Sequence, residues 1–543
     1  MWSGPWRNPD RIAAVLLVVS VTIRFFLTWS RRFNADEFQH VHASWMLQQG
    51  YRIYTDFWEN HSPLLYFLTA PLLSFFGEGV STVFLLRFFH SAAGLGIAAI
   101  TYKIARLNFD KTTSLLGILV LSFSEIYLQK TIEIRTDQFL VLCWMTSLLF
   151  CLMVRTSGDN SRAFIAGIFL GIGMLFSPKA LICYLPAAWI LYRSKTKGLV
   201  KQLFFGSGFL LPVTITSLHF LSRGTLHPWL DSTIIQNLSY PDTEGPGFLL
   251  RPQNLGLMLL GLSGMVISNR FSERSNLTSS IMIAALFPAA VLIFLMPSTY
   301  SQSALMFIPI FSIYGGFALR SSLFWRHKPD AKRLLFLIFT LSTAFIIPIT
   351  ALVIRFSETN SKQIDLLRFV LRNTTAEESV FDGNTAYIFR KQAFFYGSLV
   401  EAIRERLKQG SQHSIIDSLK KNRCRVVLFD DRVADLPESF HTFLRNNYLP
   451  AEHESVWFAG KDLGPQDYAG NKAVFRIDIP VVYRIESTTG GNLKIDERPY
   501  TGPVLLEQGI HVLKSDKQIQ GIRITADRTK ELRTAEVERG WLD

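Results

Sequence analysis

The chain has 543 residues, of which 49% are hydrophobic and only 18% are charged, whereas soluble domains average about 25% charged residues. Its formal net charge of +13 would suggest a nucleic-acid partner in a soluble protein, but here the basic residues collect in short segments between apolar runs. The composition therefore argues against a purely soluble protein, and the basic excess predicts membrane topology and no nucleic acid.

Apolar runs follow one another from Ile12 to Ile354, and the sequence after Arg355 resembles that of an ordinary soluble domain. Because a membrane-spanning helix needs about 20 mostly apolar residues, the runs predict about eleven transmembrane helices. The predicted spans are residues 11–29, 83–105, 113–128, 137–154, 162–177, 180–193, 202–222, 255–268, 280–297, 303–319 and 333–354. The apolar segment Pro63–Phe76 is too short to cross, which predicts a re-entrant or interfacial piece.

Lysine and arginine concentrate in every second loop, for example over Arg193–Lys201 and Arg320–Arg333. Short cytoplasmic loops carry such an excess of positive residues. This pattern predicts a multi-pass protein of the cytoplasmic (inner) membrane with a cytoplasmic N-terminus. The predicted extracytoplasmic parts are residues 31–82, 130–136 and 223–254 and the whole C-terminal tail.

The first predicted outer loop opens with the acidic pair Asp36 and Glu37. The residues that follow predict a short amphipathic helix with Phe38 and Trp45 on its apolar side, a helix of the kind that lies along a membrane surface. Two acids at this point also simply favour a helix N-terminus. However, the pair lies where a membrane-embedded donor would meet a water-borne acceptor, and this position favours a functional role.

Three further elements follow the acidic pair: Gly50-Tyr51, Asp56-Phe57 and the run Glu59-Asn60-His61-Ser62-Pro63-Leu64 that enters the membrane. This order resembles the GT-C superfamily of membrane glycosyltransferases. It is similar to bacterial relatives of protein O-mannosyltransferases and of the lipid A aminoarabinose transferase, including the branch that resembles rhizobial lipopolysaccharide transferases. The similarity runs over about residues 24–316 and is strongest over 36–71.

The resemblance implies a GT-C type membrane domain over residues 1–354 and a polyprenyl monophosphate sugar as donor, with inversion at the anomeric centre. In that family the first-loop aspartate is the catalytic base. The match carries this role to Asp36, with Glu37 as its neighbour. An acceptor hydroxyl needs such a general base in the transition state. No nucleotide is implied, and the sequence contains no glycine-rich phosphate loop.

The second outer loop reads Glu133-Ile134-Arg135-Thr136-Asp137 and opens a span. The family places an acidic residue at the mouth of this helix, and Asp137 matches it, although an acid in a first turn is also a common helix cap. Arg135 would bind a phosphate through two parallel hydrogen bonds or would reach to the interface. Lys179 matches a basic residue in a similar turn of the family, as a ligand of the donor phosphate or as an interfacial anchor.

Glu59 and His61 match positions that line the cavity in relatives and that in some relatives help to hold a metal. A protein zinc site has about three or four ligands, so these two residues leave a divalent metal open, and no cofactor is required. Tyr300 resembles the tyrosine of a family Pro-x-x-Tyr element, which implies a place near the donor. The basic or histidine partner usual beside that tyrosine is missing here.

The tail predicts two soluble parts, an α/β domain over residues 355–453 and a small β-rich domain over 454–543. Predicted helices are residues 364–372, 400–409 and 415–422; predicted strands are 380–382, 426–430, 474–479, 481–486, 493–495, 504–506, 510–513 and 521–524. The tail contains no catalytic set of residues, so the prediction for it is acceptor recognition or shielding of the site.

The sequence thus predicts transfer of a sugar from a polyprenyl-phosphate donor to a hydroxyl of a cell-envelope lipid, glycan or protein, on the outer face of the membrane. The alternatives are a transporter or flippase of lipid-linked sugars, an oligosaccharide ligase or polymerase, and a non-catalytic envelope scaffold. Transporters commonly have internal repeats and broken helices at the midplane. This sequence has no such repeat, and its polar residues cluster in the outer loops.

The topology is tested by a reporter enzyme that is active only after export, fused after Arg355. We expect activity at this point, because the positive residues hold the preceding loop in the cytoplasm. A fusion in the predicted inner loop at Arg270 should be inactive. A reporter after Arg355 that works only in the cytoplasm would contradict the topology, because the outer loops would then face the wrong compartment.

Overall fold

A computed structural model of the protein describes nine stretches of the chain. These stretches are residues 9–194, 198–239, 245–271, 275–296, 300–324, 330–408, 414–488, 491–519 and 521–528.

Helices make up most of the chain as far as Phe356. The α-helices of this part are α1 Pro9–Ser30, α2 Ala35–Gln48, α3 Leu64–Phe76, α4 Val80–Asn108, α5 Lys111–Phe123, α6 Glu125–Ile132, α7 Asp137–Ser157, α8 Asn160–Phe176, α9 Ala180–Tyr192, α10 Gly198–Ser222, α11 Leu226–Leu230, α12 Gln236–Ser239, α13 Pro252–Phe271, α14 Ser275–Phe294, α15 Ile308–Leu323, α16 Ala331–Leu341 and α17 Ile347–Phe356.

The chain forms two compact units, and each is made of several chain segments. The first unit contains residues 1–32, 60–68 and 84–360, and the second contains residues 33–59, 69–83 and 361–543. Residues 33–59, with α2, and residues 69–82 of the first predicted outer loop therefore belong to the same unit as the tail, whereas residues 60–68 belong to the first unit. The sequence did not predict this association.

The first unit contains the long apolar helices. Within the described residues, six helices are long and apolar enough to cross a membrane. They are Asp10–Ser30, Val80–Asn108, Asp137–Arg155, Gly198–Ser222, Leu277–Phe294 and Ala331–Ile354. The predicted multi-pass helical membrane protein is confirmed, and the predicted number of about eleven spans stays a prediction.

One predicted span, residues 113–128, is broken in the structure. Helices α5 and α6 meet at Ser124 with a bend of 67°. Ser124 has extended backbone angles (φ −61°, ψ 121°), and its side chain caps α6 by accepting the Tyr127 backbone N–H. The sequence pattern missed the break because serine also occurs inside helices. Only the hydrogen bond that caps α6 shows that a new helix begins here.

Helices α8 and α10 pack with their backbones in close contact at glycines. A Cβ atom added at Gly208 would lie 2.1 Å from the Phe164 carbonyl oxygen, and one added at Gly167 would lie 2.0 Å from the Phe205 carbonyl oxygen. Such close approach of helices by small residues is typical of packing in membranes, where lipid provides no hydrophobic driving force between helices.

The second unit is a mixed α/β structure. Its helices after residue 360 are α18 Ser361–Asn373, α19 Glu401–Lys408, α20 Ile415–Lys421, α21 Asp431–Ala434 and α22 Glu438–Asn447. Its strands are β1 Ser379–Phe381, β2 Lys391–Gln392, β3 Val426–Leu428, β4 Tyr448–Pro450, β5 Val456–Leu463, β6 Tyr468–Ala469, β7 Lys472–Ile477, β8 Val482–Ser487, β9 Leu493–Ile495, β10 Arg498–Pro499, β11 Val504–Leu505, β12 Gly509–Ser515 and β13 Ile522–Ala526.

These strands form two sheets. The larger has the order β11-β8-β13-β5-β3-β1-β2 with β4 also paired to β5, and the smaller has the order β10-β9-β12-β7-β6. Strands β1, β2 and β3 are parallel, and β3 pairs with β5 in antiparallel orientation. The larger sheet therefore continues across residue 453, the predicted domain boundary. The mixed α/β content before this residue and the β-rich content after it agree with the sequence pattern. The division at residues 354 and 453 stays a prediction.

The glycine contact generates a stability prediction. We expect Gly208→Ala to lower the thermal midpoint of the detergent-solubilised protein, since the new methyl group forces α8 and α10 apart, at a cost of about 1–3 kcal/mol. Gly206→Ala is the matched control on the same helix, because its Cβ would meet only the Tyr184 hydroxyl at 3.3 Å. Equal midpoints for both variants would contradict the close helix contact.

Candidate active site

A cluster of buried charged residues lies in the first unit around the turn between α6 and α7. The carboxylate of Glu133 is 3.0 Å from the Lys130 Nζ, 3.3 Å from an Arg135 Nη and 3.4 Å from an Arg31 Nη. All four side chains are at least 90% buried. One carboxylate therefore holds three cations that come from the end of α1, from α6 and from the turn.

Asp137, the first residue of α7, extends this cluster. Its carboxylate lies 3.1 Å from the Lys179 Nζ and 3.6 Å from the Arg135 Nε. His61 also interacts with it electrostatically. The structure thus brings together four residues that the sequence singled out, Arg135, Asp137, Lys179 and His61. We call the six charged residues Arg31, Lys130, Glu133, Arg135, Asp137 and Lys179 the charge cluster.

The charge cluster contains four cations and two carboxylates, which leaves a net charge of +2 when all six groups are ionised. Burial alone would raise the pKa of Glu133, but the positive charges of Lys130, Arg135 and Arg31 lower that pKa to about 2. Glu133 is therefore ionised at neutral pH. Buried charges are costly unless they are paired, so the excess positive charge fits a site for an anion.

Arg31 keeps donor capacity beyond its contact with Glu133. Its Nε is buried and has no hydrogen-bond acceptor among the described residues. The backbone beside it is fixed by Arg87 of α4, which donates to the carbonyl oxygens of Thr28, Arg31 and Arg32 at 3.3, 2.6 and 3.0 Å. These carbonyls lie in the last turn of α1 and just after it, where a helix end needs such donors and where a cation is favourable.

Sequence reasoning missed Arg31, Arg87, Lys130 and Glu133 as parts of this site. Lys130 and Glu133 carried a usable signal, since two charged residues three positions apart stand at a span boundary. Arg31 and Arg87 carried none, because their partners are distant in the sequence.

Arg24 lies within α1 near its C-terminal end, where a long cationic side chain commonly reaches to the interface. The structure shows a different arrangement. Arg24 is buried, its Nε donates to the Ser91 hydroxyl at 3.0 Å, and its guanidinium lies 5.3 Å from the centre of the Tyr127 ring. Polar partners on neighbouring helices make inward burial cheaper than reaching to water.

The predicted base, Asp36, stands in the first turn of α2 in the second unit and is partly exposed. Asn34 caps this helix, and its side chain accepts the Asp36 backbone N–H at 3.0 Å. Glu37 completes a capping box by accepting the Asn34 backbone N–H at 2.8 Å and is fully buried. This contact gives Glu37 a structural task, and its catalytic role stays a prediction, as does that of Asp36.

Helix α2 is not a surface helix, so that prediction does not hold. Ten consecutive residues from Glu37 to Met46 are buried, whereas a helix on a membrane surface exposes its polar face. His42 explains part of this burial, because its ring contacts the tail through the Ile388 carbonyl at 2.6 Å and Gln392 Oε1 at 3.0 Å. Burial lowers the pKa of His42, and the hydrogen bonds to Ile388 and Gln392 oppose this shift in part.

A second set of contacts, made by Glu78, connects helix α2 to the rest of its unit. Its carboxylate accepts the Trp45 indole N–H at 2.8 Å and lies 3.1 Å from Arg390 Nη1. Arg390 also donates to the carbonyl oxygens of Leu371 and Thr374. The helix that begins beside Asp36 is therefore held by the tail at several points along its length.

Glu59 is buried in the second unit, where both carboxylate oxygens accept from Gln39 Nε2 at 3.0 and 3.1 Å. His40 offers a ring nitrogen within 4.8 Å of a Glu59 oxygen, which makes two ligand atoms of the three or four that a zinc site has. Its predicted partner His61 belongs to the first unit, and a divalent metal stays a prediction.

Tyr300 is 40% exposed and directly precedes a 3-10 turn, Ser301–Met306. Residues 297–299 of the Pro-x-x-Tyr element lie outside the described residues, so the role of Tyr300 also stays a prediction. In the short helix α11, Trp229 is buried and stacks on Phe220 of α10 with ring centres 4.8 Å apart.

Residues 60–220 match the family model of dolichyl-phosphate-mannose-protein mannosyltransferase. This match covers the turn with Glu133 and Arg135 as well as Asp137 and Lys179. No curated protein sequence matches the chain.

Two solved structures illustrate the similarity in fold. ArnT from Cupriavidus metallidurans bound to undecaprenyl phosphate has a TM-score of 0.58 at 12% identity, over 82% of this chain and 97% of that protein. The archaeal oligosaccharyltransferase AglB from Archaeoglobus fulgidus, in complex with an inhibitory peptide and a dolichol-phosphate, has a TM-score of 0.52 at 14% identity, over 84% and 75%. The predicted GT-C fold with a C-terminal β-rich region is confirmed.

The ionised state of Glu133 generates a prediction. We expect Glu133→Gln to destabilise the protein by about 3–5 kcal/mol, because three buried cations lose their shared counter-charge. Asp159→Asn is the control, since it breaks a half-exposed pair with Arg162 that contributes about 0–1 kcal/mol. Thermal unfolding in detergent measures both.

The same experiment has a defined pH dependence. The pKa of Glu133 is lower in the folded protein than the value of about 4.3 of an unperturbed glutamate, so its stabilisation is complete above that value and disappears only as the pH falls through about 2. The difference between wild type and Glu133→Gln should therefore stay constant from about pH 6 to 8. A difference that grows steadily across this range would contradict an ionised Glu133.

Proposed function

We propose that this GT-C membrane glycosyltransferase transfers a sugar from a polyprenyl-phosphate donor to a hydroxyl group of a cell-envelope lipid, glycan or protein. The observation that carries the proposal is the buried, net positive charge cluster at the start of α7. A phosphate is the leaving group in such a reaction, and its developing charge needs fixed cations in a site from which water is excluded.

Lys179 and Arg135 would hold the donor phosphate. In the structure Asp137 accepts a hydrogen bond from Lys179 and lies close to Arg135, which fixes both cations without neutralising the cluster. Lys179 is the more accessible, with its side chain 20% exposed against 3% for Arg135. Lys179 would therefore meet the phosphate directly, and Arg135 would act from behind it.

Asp36 would act as the general base. The acceptor oxygen attacks the anomeric carbon, the bond from that carbon to the phosphate oxygen breaks, and the hydroxyl proton passes to the Asp36 carboxylate. Partial exposure leaves Asp36 accessible to an acceptor from water, while the capping box around Asn34 holds the start of α2 in a single conformation. A fixed base lowers the barrier through correct positioning.

The comparisons support this donor class. The matching family model is named for a dolichyl-phosphate-linked mannose donor, and ArnT and AglB are solved with undecaprenyl phosphate and dolichol-phosphate. We place the reaction on the outer face of the cytoplasmic membrane with the N-terminus in the cytoplasm, because the basic residues collect in the alternate loops.

We expect Asp36→Asn to reduce turnover by roughly 10²–10⁴-fold, since the amide keeps the shape of the carboxylate and removes its basicity. The measurement is consumption of a polyprenyl-phosphate sugar by purified protein in detergent. Glu37→Gln is the matched comparison and should be milder, because its amide oxygen still accepts the Asn34 N–H. Near-normal turnover by Asp36→Asn would remove Asp36 from the mechanism.

We expect Lys179→Ala and Arg135→Ala to raise the donor concentration needed for half-maximal rate more than the acceptor concentration, by about tenfold or more for a lost charge-assisted hydrogen bond. Steady-state kinetics with each substrate varied separately measures this difference. Arg162→Ala is the control, since its exposed pair lies on the predicted cytoplasmic side. Normal donor binding by both variants would leave these residues as structural ion-pair partners.

A further inference from the structure

The second unit contains a cavity of about 410 Å³ at the C-terminal end of α2. It is lined on one side by residues that follow α2, including Tyr51, and on the other by residues of the tail, including Lys391, Phe395, Asp417 and Lys421. Its volume lies within the range of about 300–1,000 Å³ that is typical of small-molecule sites.

Part of the polar lining is already used to build the walls. Asp56 is paired with Arg52 at 3.0 Å, Asn422 donates to the Ala393 carbonyl at 2.8 Å, and Gln392 is engaged by His42 and by two carbonyls of its own strand region. These groups are held in place and their charges are balanced. They make a rigid frame for the remaining lining residues.

Three charged lining residues are different. Lys391, Asp417 and Lys421 make no side-chain hydrogen bond or ion pair within the part of the chain that the structure describes. Two ammonium groups and one carboxylate thus face one cavity with Tyr51 and Phe395 as aromatic surface. An apolar ligand would leave these charges desolvated and unpaired, which is unfavourable. A divalent cation would find a single unpaired carboxylate and two repelling ammonium groups.

We infer that this cavity binds an acidic sugar residue of the acceptor glycan, an assignment that rests on the proposed function. The lysines would bind the sugar's carboxylate or phosphate group, and Asp417 would accept hydrogen bonds from its hydroxyls. The aromatic side chains would cover the apolar face of the ring. Each unpaired group of the cavity then has a complementary group on one ligand.

The position of the cavity defines which sugar it holds. Met46 lines the cavity and lies ten residues after Asp36 on α2, which at 1.5 Å per residue is about 15 Å along the helix axis. The bound sugar is therefore distal to the hydroxyl that reacts at Asp36. Gln392, a wall of the cavity, is hydrogen-bonded to His42 of the same helix, so the subsite and the proposed base belong to one rigid structure.

The test uses the full-length protein in detergent and two matched ligands, methyl β-D-glucuronoside and methyl β-D-glucoside, which differ only in the carboxylate. Saturation-transfer NMR titration measures their affinities. We expect the acidic ligand to bind about tenfold or more tightly than the neutral one, as a charge-assisted hydrogen bond provides. The double variant Lys391→Ala/Lys421→Ala should lose this preference, whereas Lys494→Ala, on an exposed strand position of the same unit, should keep it.

Equal affinities for the two ligands, or no binding of either, would overturn the assignment. A glutamate-rich peptide that binds better than the glucuronoside and loses affinity in the double variant would overturn the sugar class. Asp36→Asn and Lys179→Ala should both retain glucuronoside binding. Retained binding in a protein that consumes no lipid-linked donor would refute the proposed transfer reaction and leave the subsite standing, so the two failures are distinguishable.

Discussion

The ion pairs of the Glu133 carboxylate hold together several helix ends of the first unit. It pairs with Arg31 after α1, with Lys130 in α6 and with Arg135 before α7. Separating any of these buried ions would leave a charge without compensation, at a cost of several kcal/mol. Arg87 adds hydrogen bonds to the last carbonyls of α1. The start of α7 is therefore fixed before any ligand binds.

The same contact explains how one group of residues is both structural and ready for a ligand. Glu133 and Asp137 fix the cations without cancelling them, so an anion finds positive groups that need little reorganisation. Preorganised charge in a dry site is the usual source of transition-state stabilisation for a departing anion. Arg135 contacts both carboxylates, so the proposed donor binding would be coupled to stability there. Lys179 contacts Asp137 alone of the two, so the two effects would separate at that residue.

The tail is part of the catalytic apparatus proposed here because it holds α2. His42 and Trp45 join this helix to Ile388, Gln392 and Glu78, so the helix that starts at Asp36 does not depend on the membrane surface for its position. A loop fixed in this manner would keep the proposed base in one place, and the cavity beyond its other end would give the tail contacts with an acceptor. The acceptor-recognition role of the tail stays a prediction.

The sequence by itself determined the multi-pass membrane class, the approximate positions of most long apolar helices before residue 355 and most strands of the tail, since apolar run length and side-chain periodicity are local properties. It also pointed to Asp137, Arg135 and Lys179, which the structure joins. Only the tertiary structure decided that Arg31 pairs with Glu133, 102 residues away, and that α2 is buried. The local sequence does not show which residue a charge pairs with or what covers a helix face, because these partners come from distant segments that the fold brings together.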